Sequence, residues 1–348
     1  MDQFHCQVLL CSSAAARPLV APLVKRLAQR GAMDAEGQRR STRSHPAHGR
    51  PAIFFAFLIA VLCFAGIDRE LRGILLGATI IVVLGILDDI LTLKALPKFA
   101  VQIVAAVIAV LHGCRIEHFM GFRLATWLSY PVRVIWIVAI TNAVNFIDGL
   151  DGLAAGVSAI SFTYARLALL VPDYNSAILL AAIVGACAGF IPYNFNPAKI
   201  FMGDTGSTFL GFMLSSISIY GLFKMYAIIS FAVPFLVLGL PIFDICFAVI
   251  RRVSKGQSPM HADRGHVHHR LIDMGFSQKQ AVAIAYMLSA ILGMAAVVLT
   301  NDGEMKALIF IGAVIVVGAI GVLVIFHRHP DKQDETTEKP EEKSHEEN

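Results

Sequence analysis

The chain contains 348 residues, of which 56% are hydrophobic and only 16% are charged, and its formal net charge is +4. Soluble globular domains carry about 45–50% apolar and about 25% charged residues, so this composition excludes both a soluble globule and a disordered chain. The small net charge gives no indication of nucleic-acid binding. Six scattered cysteines without a CxxC pair predict neither a disulfide framework nor a zinc site.

Long apolar runs recur along the chain and predict a lipid bilayer as its environment. A transmembrane helix needs roughly 20 predominantly apolar residues, and a helix satisfies its backbone hydrogen bonds within one segment. We therefore predict an all-α fold, a polytopic transmembrane helix bundle. A degraded first span at residues 8–24 is weakened by Ser12, Ser13 and Arg17. Ten clear spans follow, at about residues 52–66, 71–87, 95–113, 130–147, 153–171, 176–193, 206–223, 226–250, 281–299 and 307–326.

Lysine and arginine are distributed unequally between alternate loops. One set of loops contains 20 of the 29 basic residues and the other contains 7. Because cytoplasmic loops carry an excess of lysine and arginine, we predict that the richer set is cytoplasmic. It comprises residues 25–51, 88–98, 148–152, 194–205, 251–280 and 327–348. The last of these is charged and has no apolar run, so we expect a disordered cytoplasmic tail.

Acidic and histidine side chains gather on this predicted cytoplasmic face. Asp88 and Asp89 end the second clear span at a helix C-terminus. There the helix dipole disfavours a negative charge by up to about 1 kcal/mol, and adjacent carboxylates repel each other. A bound cation would offset both penalties, so we interpret the pair as functional. Further along the chain come Asp148, Asp151, Asp204, Asp244 and a histidine-rich loop at 261–270.

Structural interpretations exist for several of these carboxylates. Asp151 and Asp204 could each cap the helix that follows, because both precede an apolar run. We expect Asp244 to pair with Arg251 or Arg252, which lie two helical turns further along the same span.

The histidine-rich loop favours an anion clamp over a zinc site, because no cysteine joins it and hard carboxylates surround it. Lys98 is either a basic anchor at the membrane surface or a phosphate ligand. The clamp residues would be Arg264, His266, His268, His269 and Arg270.

Together these residue types indicate phosphoryl transfer. Carboxylate oxygens with retained water are the ligands that Mg²⁺ prefers, and Mn²⁺ is a substitute that the same donors allow. Mg²⁺ bridging phosphates, with basic side chains neutralising the remaining charge, is the apparatus of phosphoryl transfer. The chain has no P-loop and no kinase signature. A phosphate site at the mouth of a membrane bundle suits a lipid phosphate acceptor, so the residues alone predict Mg²⁺-dependent transfer onto such a lipid.

Four ordered motifs make the chain recognisable. They are Asp88-Asp89 followed by Lys98-Phe-Ala-Val-Gln102, then Asn142…Asn145…Asp148-Gly-Leu-Asp-Gly-Leu-Ala154, then Phe201-Met-Gly-Asp-Thr-Gly206, and then His266-Val-His-His269. With the span count they cover roughly residues 52–326. The chain resembles the polyprenyl-phosphate N-acetylhexosamine-1-phosphate transferases of glycosyltransferase family 4. The His-x-His-His form resembles the undecaprenyl-phosphate GlcNAc-1-phosphate transferase branch.

The resemblance implies eleven spans, a catalytic domain at 52–326 in the bacterial cytoplasmic membrane, and an active site on the cytoplasmic side. The implied reaction is Mg²⁺-dependent transfer of GlcNAc-1-phosphate from UDP-GlcNAc to undecaprenyl phosphate, with release of UMP. That reaction would initiate a cell-wall or surface polysaccharide such as a teichoic acid linkage unit or O-antigen. Another UDP-N-acetylhexosamine, a homodimer, and a direct or a two-step mechanism are left open.

The same resemblance implies roles for individual residues. Asp204 would ligate Mg²⁺. The catalytic carboxylates would be Asp88, Asp89, Asp148 and Asp151. The phosphates would be held by Lys98, Arg264, His266, His268 and His269. The nucleotide would be bound by Asn145, Asp148, Gly149, Leu150, Asn194 and Phe201, with the phenyl ring of Phe201 stacked on the uracil.

Residues 1–51 depart from the family pattern, because they combine a weak first span with a basic cytoplasmic loop that no Gly-Gly pair follows. A disturbed reading frame upstream of Ala52 would explain this, and resequencing the gene tests it.

Two rival functions are a secondary transporter and an inactive homologue. A transporter would place its ionisable residues near the membrane midplane between inverted repeats, whereas here they lie at span ends. An inactive polyprenyl-phosphate-binding homologue is disfavoured by the complete set of motif aspartates. Mg²⁺ dependence separates the enzyme from both.

Overall fold

The computed structural model describes residues 51–91, 93–113, 118–119, 122–123, 125–168, 174–220, 228–254, 256, 265–301 and 312. Within these ranges the regular elements are helices apart from one hairpin of two-residue strands, in which His118–Phe119 pairs antiparallel with Phe122–Arg123. The predicted all-α architecture is therefore confirmed. The predicted spans at 8–24 and 307–326, the rest of the N-terminal segment before Pro51, and the tail at 327–348 lie outside the described residues.

Eleven helices are found in the described part of the chain: α1 (Ala52–Phe64), α2 (Arg69–Leu91), α3 (Ala95–Leu111), α4 (Thr126–Ile147), α5 (Leu153–Ala168), α6 (Tyr174–Asn194), α7 (Gly203–Tyr220), α8 (Ile228–Val237), α9 (Gly239–Ser254), α10 (Val267–Asp273) and α11 (Gln278–Asn301). Four of them, α2, α4, α6 and α11, are long and apolar enough to cross a bilayer, and α1, α3 and α5 are shorter apolar helices. The chain is thus a multi-pass membrane protein, and the count of ten or eleven spans stays a prediction.

The predicted single span at 226–250 is two consecutive helices, α8 and α9, interrupted at Leu238. Proline lacks an N–H, so Pro241 leaves the carbonyl of Val237 without its helical donor. The hydroxyl of Ser161 on α5 donates to that carbonyl at 2.8 Å. The interruption therefore has its freed backbone group satisfied by a neighbouring helix, as a membrane interior requires.

Helix α7 forms the centre of the bundle. Every residue from Thr205 to Tyr220 is buried, and the helix packs against α2 and α4. Glycine permits these close approaches. A Cβ on Gly85 of α2 would lie 2.4 Å from the Cα of Thr205, and one on Gly211 would lie 2.7 Å from the Cα of Thr141. Small residues at such crossings let helix backbones approach closely, and here they fix the position of α7.

The connections at one end of the bundle carry the acidic residues of the sequence motifs. We call this end, defined by Asp88, Asp148 and Asp204, the aspartate end. The turn from α4 to α5 lies there and includes Gly152, whose φ of +80° favours glycine. The hydroxyl of Tyr286 on α11 donates to the Gly152 carbonyl at 2.6 Å. The aspartate end is therefore built from segments far apart in sequence and tied together by hydrogen bonds.

Candidate active site

Lys98 links two carboxylates at the aspartate end. Its Nζ lies 2.5 Å from Oδ2 of Asp88 and 3.0 Å from Oδ2 of Asp204. The Asp88 side chain is 9% exposed, whereas those of Lys98 and Asp204 are 29% and 39% exposed. One cation therefore bridges a buried carboxylate and a carboxylate that solvent or substrate can reach. The sequence interpretation had placed all three residues in one site, and the structure brings them together.

The end of α2 is held by both of its aspartates. Oδ1 of Asp88 accepts from the backbone N–H of Leu93 at 2.8 Å, which fixes the chain as it leaves the helix. Asp89 accepts from the hydroxyl of Thr205 on α7 at 2.7 Å. Thr205 was not singled out in the sequence, although it lies directly after Asp204. We call Lys98, Asp88 and Asp204 the Lys98 cluster. Asp89 thus joins α2 to α7 beside this cluster.

The turn that follows α4 lies against the histidine loop. Asp148 is the C-cap residue of α4, and Gly149 and Leu150 continue the turn. A Cβ on Gly149 would lie 2.2 Å from Nε2 of His268, so only glycine fits this contact. The predicted nucleotide turn and the predicted phosphate loop are therefore direct neighbours, although more than one hundred residues separate them in sequence.

Two further predicted residues hold loops together. Asp151 accepts from Asn196 Nδ2 at 2.9 Å and from the backbone N–H of Ala198 at 3.2 Å, and neither bond reaches Lys98. The buried Asn194 accepts from Gly152 N at 3.1 Å and donates to a backbone carbonyl six residues further on. These contacts fix the loop that leads to α7. Within the described residues, the bonds of Asp151 and Asn194 position the site.

The remaining predicted nucleotide residues lie on either side of the α4–α7 contact. Oδ1 of Asn145 accepts from the hydroxyl of Ser207 at 2.6 Å, which neither sequence motif nor spacing had indicated. Phe201 is 42% exposed, just before α7 begins. Gly203, two residues after Phe201 and at the start of α7, has a φ of +62°, a left-handed conformation that favours glycine. The phenyl ring of Phe201 therefore reaches the surface at this end of the bundle.

The histidine loop is packed as a series of rings. The rings of His266 and His268 are nearly parallel at 5.9 Å, with 7° between their planes, and the rings of His268 and His269 are 4.2 Å apart. His268 is buried, and its Nε2 has no hydrogen-bond partner among the residues that the structure describes. Arg264, the remaining predicted phosphate ligand, lies outside the described residues, and Arg270 lies in the last turn of the short helix α10.

The expected pairing of Asp244 with Arg251 or Arg252 is wrong. Oδ2 of Asp244 contacts Nδ1 of His266 at 2.7 Å, and Oδ1 accepts from the backbone N–H of Val267 at 2.7 Å. The reason is geometric: residues 266 and 267 lie beside α9, where a buried ring and the first backbone N–H of α10 meet the carboxylate. Sequence reasoning considered only residues on the same span.

Comparison with known proteins identifies the chain's relatives. Residues 71–222 match the description "Glycosyl transferase family 4". The chain is 42% identical to a probable undecaprenyl-phosphate N-acetylglucosaminyl 1-phosphate transferase of Bacillus subtilis, over 81% of this chain and 82% of that protein. It is 32% identical to a decaprenyl-phosphate N-acetylglucosaminephosphotransferase of Mycobacterium tuberculosis, over 83% of this chain and 81% of that protein. The chain belongs to glycosyl transferase family 4.

A third relative is more distant. The family 4 undecaprenyl-phosphate alpha-N-acetylglucosaminyl 1-phosphate transferase of Escherichia coli is 28% identical, over 62% of each chain. The motifs on which the sequence interpretation rested begin at Asp88 and end at His269, so only the first three fall inside the matched region at 71–222. The histidine loop is covered by the longer alignments.

Enzymes of glycosyl transferase family 4 typically depend on Mg²⁺. Among the described residues, no three histidine, cysteine, aspartate or glutamate side chains converge as a metal-binding group. Asp88 and Asp204 nevertheless contact one shared ammonium, so two carboxylates already face a common cation position. Mg²⁺ usually takes one or two carboxylates together with waters and substrate phosphates. The residues present therefore fit this ion.

Burial, together with the neighbouring His269 and His266, lowers the pKa of His268 to about 4, although the negative charge of Asp244 opposes the shift. An unfolded chain has a histidine pKa of about 6.5, so between these values the unfolded state binds more protons. The folded state of this family 4 transferase is therefore expected to lose stability as the pH falls from about 6.5 towards 4.

The variant His268→Gln tests this expectation. We predict that the melting temperature of the variant falls less between pH 7 and pH 5 than that of the wild type, because the variant has no buried imidazole to protonate. Thermal unfolding in detergent measures both slopes, and the curves should run parallel above pH 7. Equal slopes below pH 6.5 would contradict a neutral, buried His268.

Proposed function

We propose that this chain transfers GlcNAc-1-phosphate from UDP-GlcNAc to undecaprenyl phosphate and releases UMP, in a Mg²⁺-dependent reaction. The observation that carries the proposal is the Lys98 cation shared between Asp88 and Asp204, in a chain 42% identical to a transferase named for this chemistry. The lipid product would initiate a cell-wall or surface polysaccharide. The site would face the cytoplasm of a bacterial inner membrane, as the distribution of basic residues predicts.

The proposed reaction exchanges one phosphoanhydride for another. An oxygen of the lipid phosphate forms a bond to the β-phosphorus of UDP-GlcNAc. The bond from that phosphorus to the oxygen bridging the α-phosphate breaks, and UMP leaves with the electron pair. Charge builds up on the bridging oxygen and the equatorial oxygens, so positive groups around the β-phosphate accelerate the step.

Asp204 would hold the ion beside Asp88 and Lys98. Bound there, Mg²⁺ would neutralise phosphate charge and polarise the phosphorus–oxygen bonds. Asp204 is the better metal ligand because its side chain is more exposed than that of Asp88. An ion held there can also contact the substrate phosphates. Asp88 is buried and would orient the lipid phosphate or receive its proton. Lys98 would move from the two carboxylates to the phosphates of the bound substrates.

The nucleotide would occupy the space between the α4–α5 turn and α7. Phe201 would stack on the uracil, and the Asp148–Gly149–Leu150 turn would contact the edge of the base. The histidine loop touches this turn through Gly149 and His268, so its rings and basic side chains are well placed to meet the diphosphate. Their short contact with the turn supports a single continuous nucleotide pocket.

Transfer of labelled sugar tests the proposal. Purified protein in detergent would receive undecaprenyl phosphate and UDP-[³H]GlcNAc, with Mg²⁺ or with EDTA. We expect butanol-extractable label that EDTA abolishes and that Mn²⁺ partly restores, because carboxylate donors accept both ions. The control is UDP-GalNAc, which separates the GlcNAc proposal from another UDP-N-acetylhexosamine.

A folded preparation that transfers neither sugar would instead favour an inactive homologue that binds polyprenyl phosphate. Transfer that EDTA leaves unchanged would contradict the assigned role of Asp204.

A further inference from the structure

Asp244 makes two hydrogen bonds to the start of the histidine loop. The side chain lies on α9 and is 3% exposed, and its two oxygens contact Nδ1 of His266 and the backbone N–H of Val267, both at 2.7 Å. His266 is the N-cap residue of α10, and its own side chain makes no capping bond. A carboxylate from another helix therefore satisfies the first amide of α10 and also holds the ring beside it.

Arg251 anchors the residue immediately before. Its Nη1 donates to the carbonyl of Gly265 at 2.7 Å. A Cβ on Gly265 would lie 1.9 Å from the guanidinium, so the approach requires glycine. Residues 244 and 251 are seven apart on α9, almost two turns, and so share one face of the helix. We call Asp244 and Arg251 the α9 clamp, because together they form hydrogen bonds with three consecutive residues, 265 to 267.

The ring of His266 lies beside the predicted nucleotide turn. The His266 ring is stacked 5.7 Å from that of Phe146, at the end of α4 and two residues before Asp148. It is also nearly parallel to the buried ring of His268, which lies against Gly149. Two rings thus fix the plane of His266, and Asp244 fixes its rotation within that plane.

We infer that Asp244 is a positioning residue for sugar-phosphate transfer, acting through His266; this inference rests on the proposed function. A carboxylate only accepts hydrogen bonds, so the hydrogen shared with Asp244 lies on Nδ1. In the imidazolium form both ring nitrogens donate, and Nε2–H is then the donor left to meet a phosphate oxygen of the nucleotide. Arg251 supports the same geometry by holding the backbone before the ring. The α9 clamp therefore sets which nitrogen of His266 faces the substrate, and where.

A double-mutant cycle tests the inference. Asp244→Ala, His266→Ala and the double variant would be compared with wild type for transfer from UDP-GlcNAc, in the full chain reconstituted in nanodiscs. Each single change is expected to lower kcat/KM by about 10- to 100-fold, the range for losing hydrogen bonds to a charged group. If Asp244 acts through His266, the double variant should be within about threefold of the weaker single variant.

The two substrates distinguish positioning from a general structural loss. We expect the KM for UDP-GlcNAc to rise in Asp244→Ala while the KM for undecaprenyl phosphate stays near the wild-type value. Asp244→Asn keeps the shape and an acceptor for Val267, but it presents an amide to His266. It should protect the amides of 266–273 from hydrogen exchange as well as wild type does and still lose transfer, because an amide N–H that donates to Nδ1 opposes the imidazolium form in which both ring nitrogens donate.

Asp273→Ala is the matched control, since this aspartate is exposed at the far end of α10. It should leave both KM values unchanged. Effects of Asp244→Ala and His266→Ala that multiply, or an Asp244→Ala variant with wild-type kinetics, would overturn the inference.

Hydrogen exchange distinguishes failure of the inference about Asp244 from failure of the proposed function. Wild-type protein that transfers no sugar would count against the function, whereas faster exchange at 266–270 in Asp244→Ala would still reveal the α9 clamp. Unchanged exchange together with unchanged kinetics would overturn it.

Discussion

Asp88→Asn is expected to lower the rate of sugar-phosphate transfer by about 1000-fold while the protein stays folded. The carboxylate is buried, lies 2.5 Å from Lys98 Nζ and accepts the N–H of Leu93. Asparagine has the same shape and can keep the bond to Leu93. It removes the negative charge, however, so Lys98 retains only Asp204 and the lipid phosphate loses the group proposed to orient it or take its proton.

The measurement is the initial rate of butanol-extractable label, with circular dichroism and gel filtration as checks on folding. Asp273→Asn is the matched control, because it removes an exposed carboxylate at the same end of the chain's helical bundle. The control should keep wild-type activity. An Asp88→Asn variant that retained more than about a tenth of wild-type activity would show that this carboxylate takes no part in proton transfer or in orienting the lipid phosphate.

Gly85→Val is expected to damage both stability and activity. A Cβ at this position would lie 2.4 Å from the Cα of Thr205, a backbone atom that no rotamer change can move. Helix α2 must therefore shift away from α7, at a cost of about 3 kcal/mol by comparison with overpacked cores. Asp88 and Asp204 lie on these two helices, and a displacement of about 1 Å between catalytic groups can lower activity by about 100-fold.

Two readouts separate these effects. Thermal unfolding should show a lower melting temperature, and the residual folded protein at low temperature should still transfer sugar slowly. Gly66→Ala is the control, since a Cβ there meets only a side-chain oxygen at 3.8 Å. A valine variant with full activity and wild-type melting would contradict the tight α2–α7 contact on which the geometry of the Lys98 cluster depends.

The sequence predicted the all-helical architecture and gathered the motif carboxylates on one face of the bundle, whereas their roles and the number of spans stay predictions. Apolar runs marked α1 to α7 and α11 closely, because hydrophobicity and span length are local properties. The break at Leu238 was missed because apolar composition continues through it. Its signals were Pro234, Gly239 and Pro241, which interrupt helical hydrogen bonding without lowering hydropathy.

Side-chain partners were harder to predict. Asp244 was assigned to arginines on its own helix, whereas its partner is His266, 22 residues further along the chain. Thr205 and Ser207 were overlooked because hydroxyl groups inside an apolar helix carry no pattern of their own. Such contacts depend on how helices pack, and spacing along one helix does not encode the crossing of two.

The most direct test of the account follows the β-phosphate itself. UDP-GlcNAc radiolabelled at the β-phosphorus would be incubated with undecaprenyl phosphate, Mg²⁺ and the purified protein, with Asp204→Asn alongside. For transfer of a sugar phosphate, we predict that label enters the lipid fraction together with the sugar and that unlabelled UMP is released. Both signals should disappear in the variant. Label that stayed in water as UDP while the sugar reached the lipid would contradict it, because a sugar and not a sugar phosphate would then have been transferred.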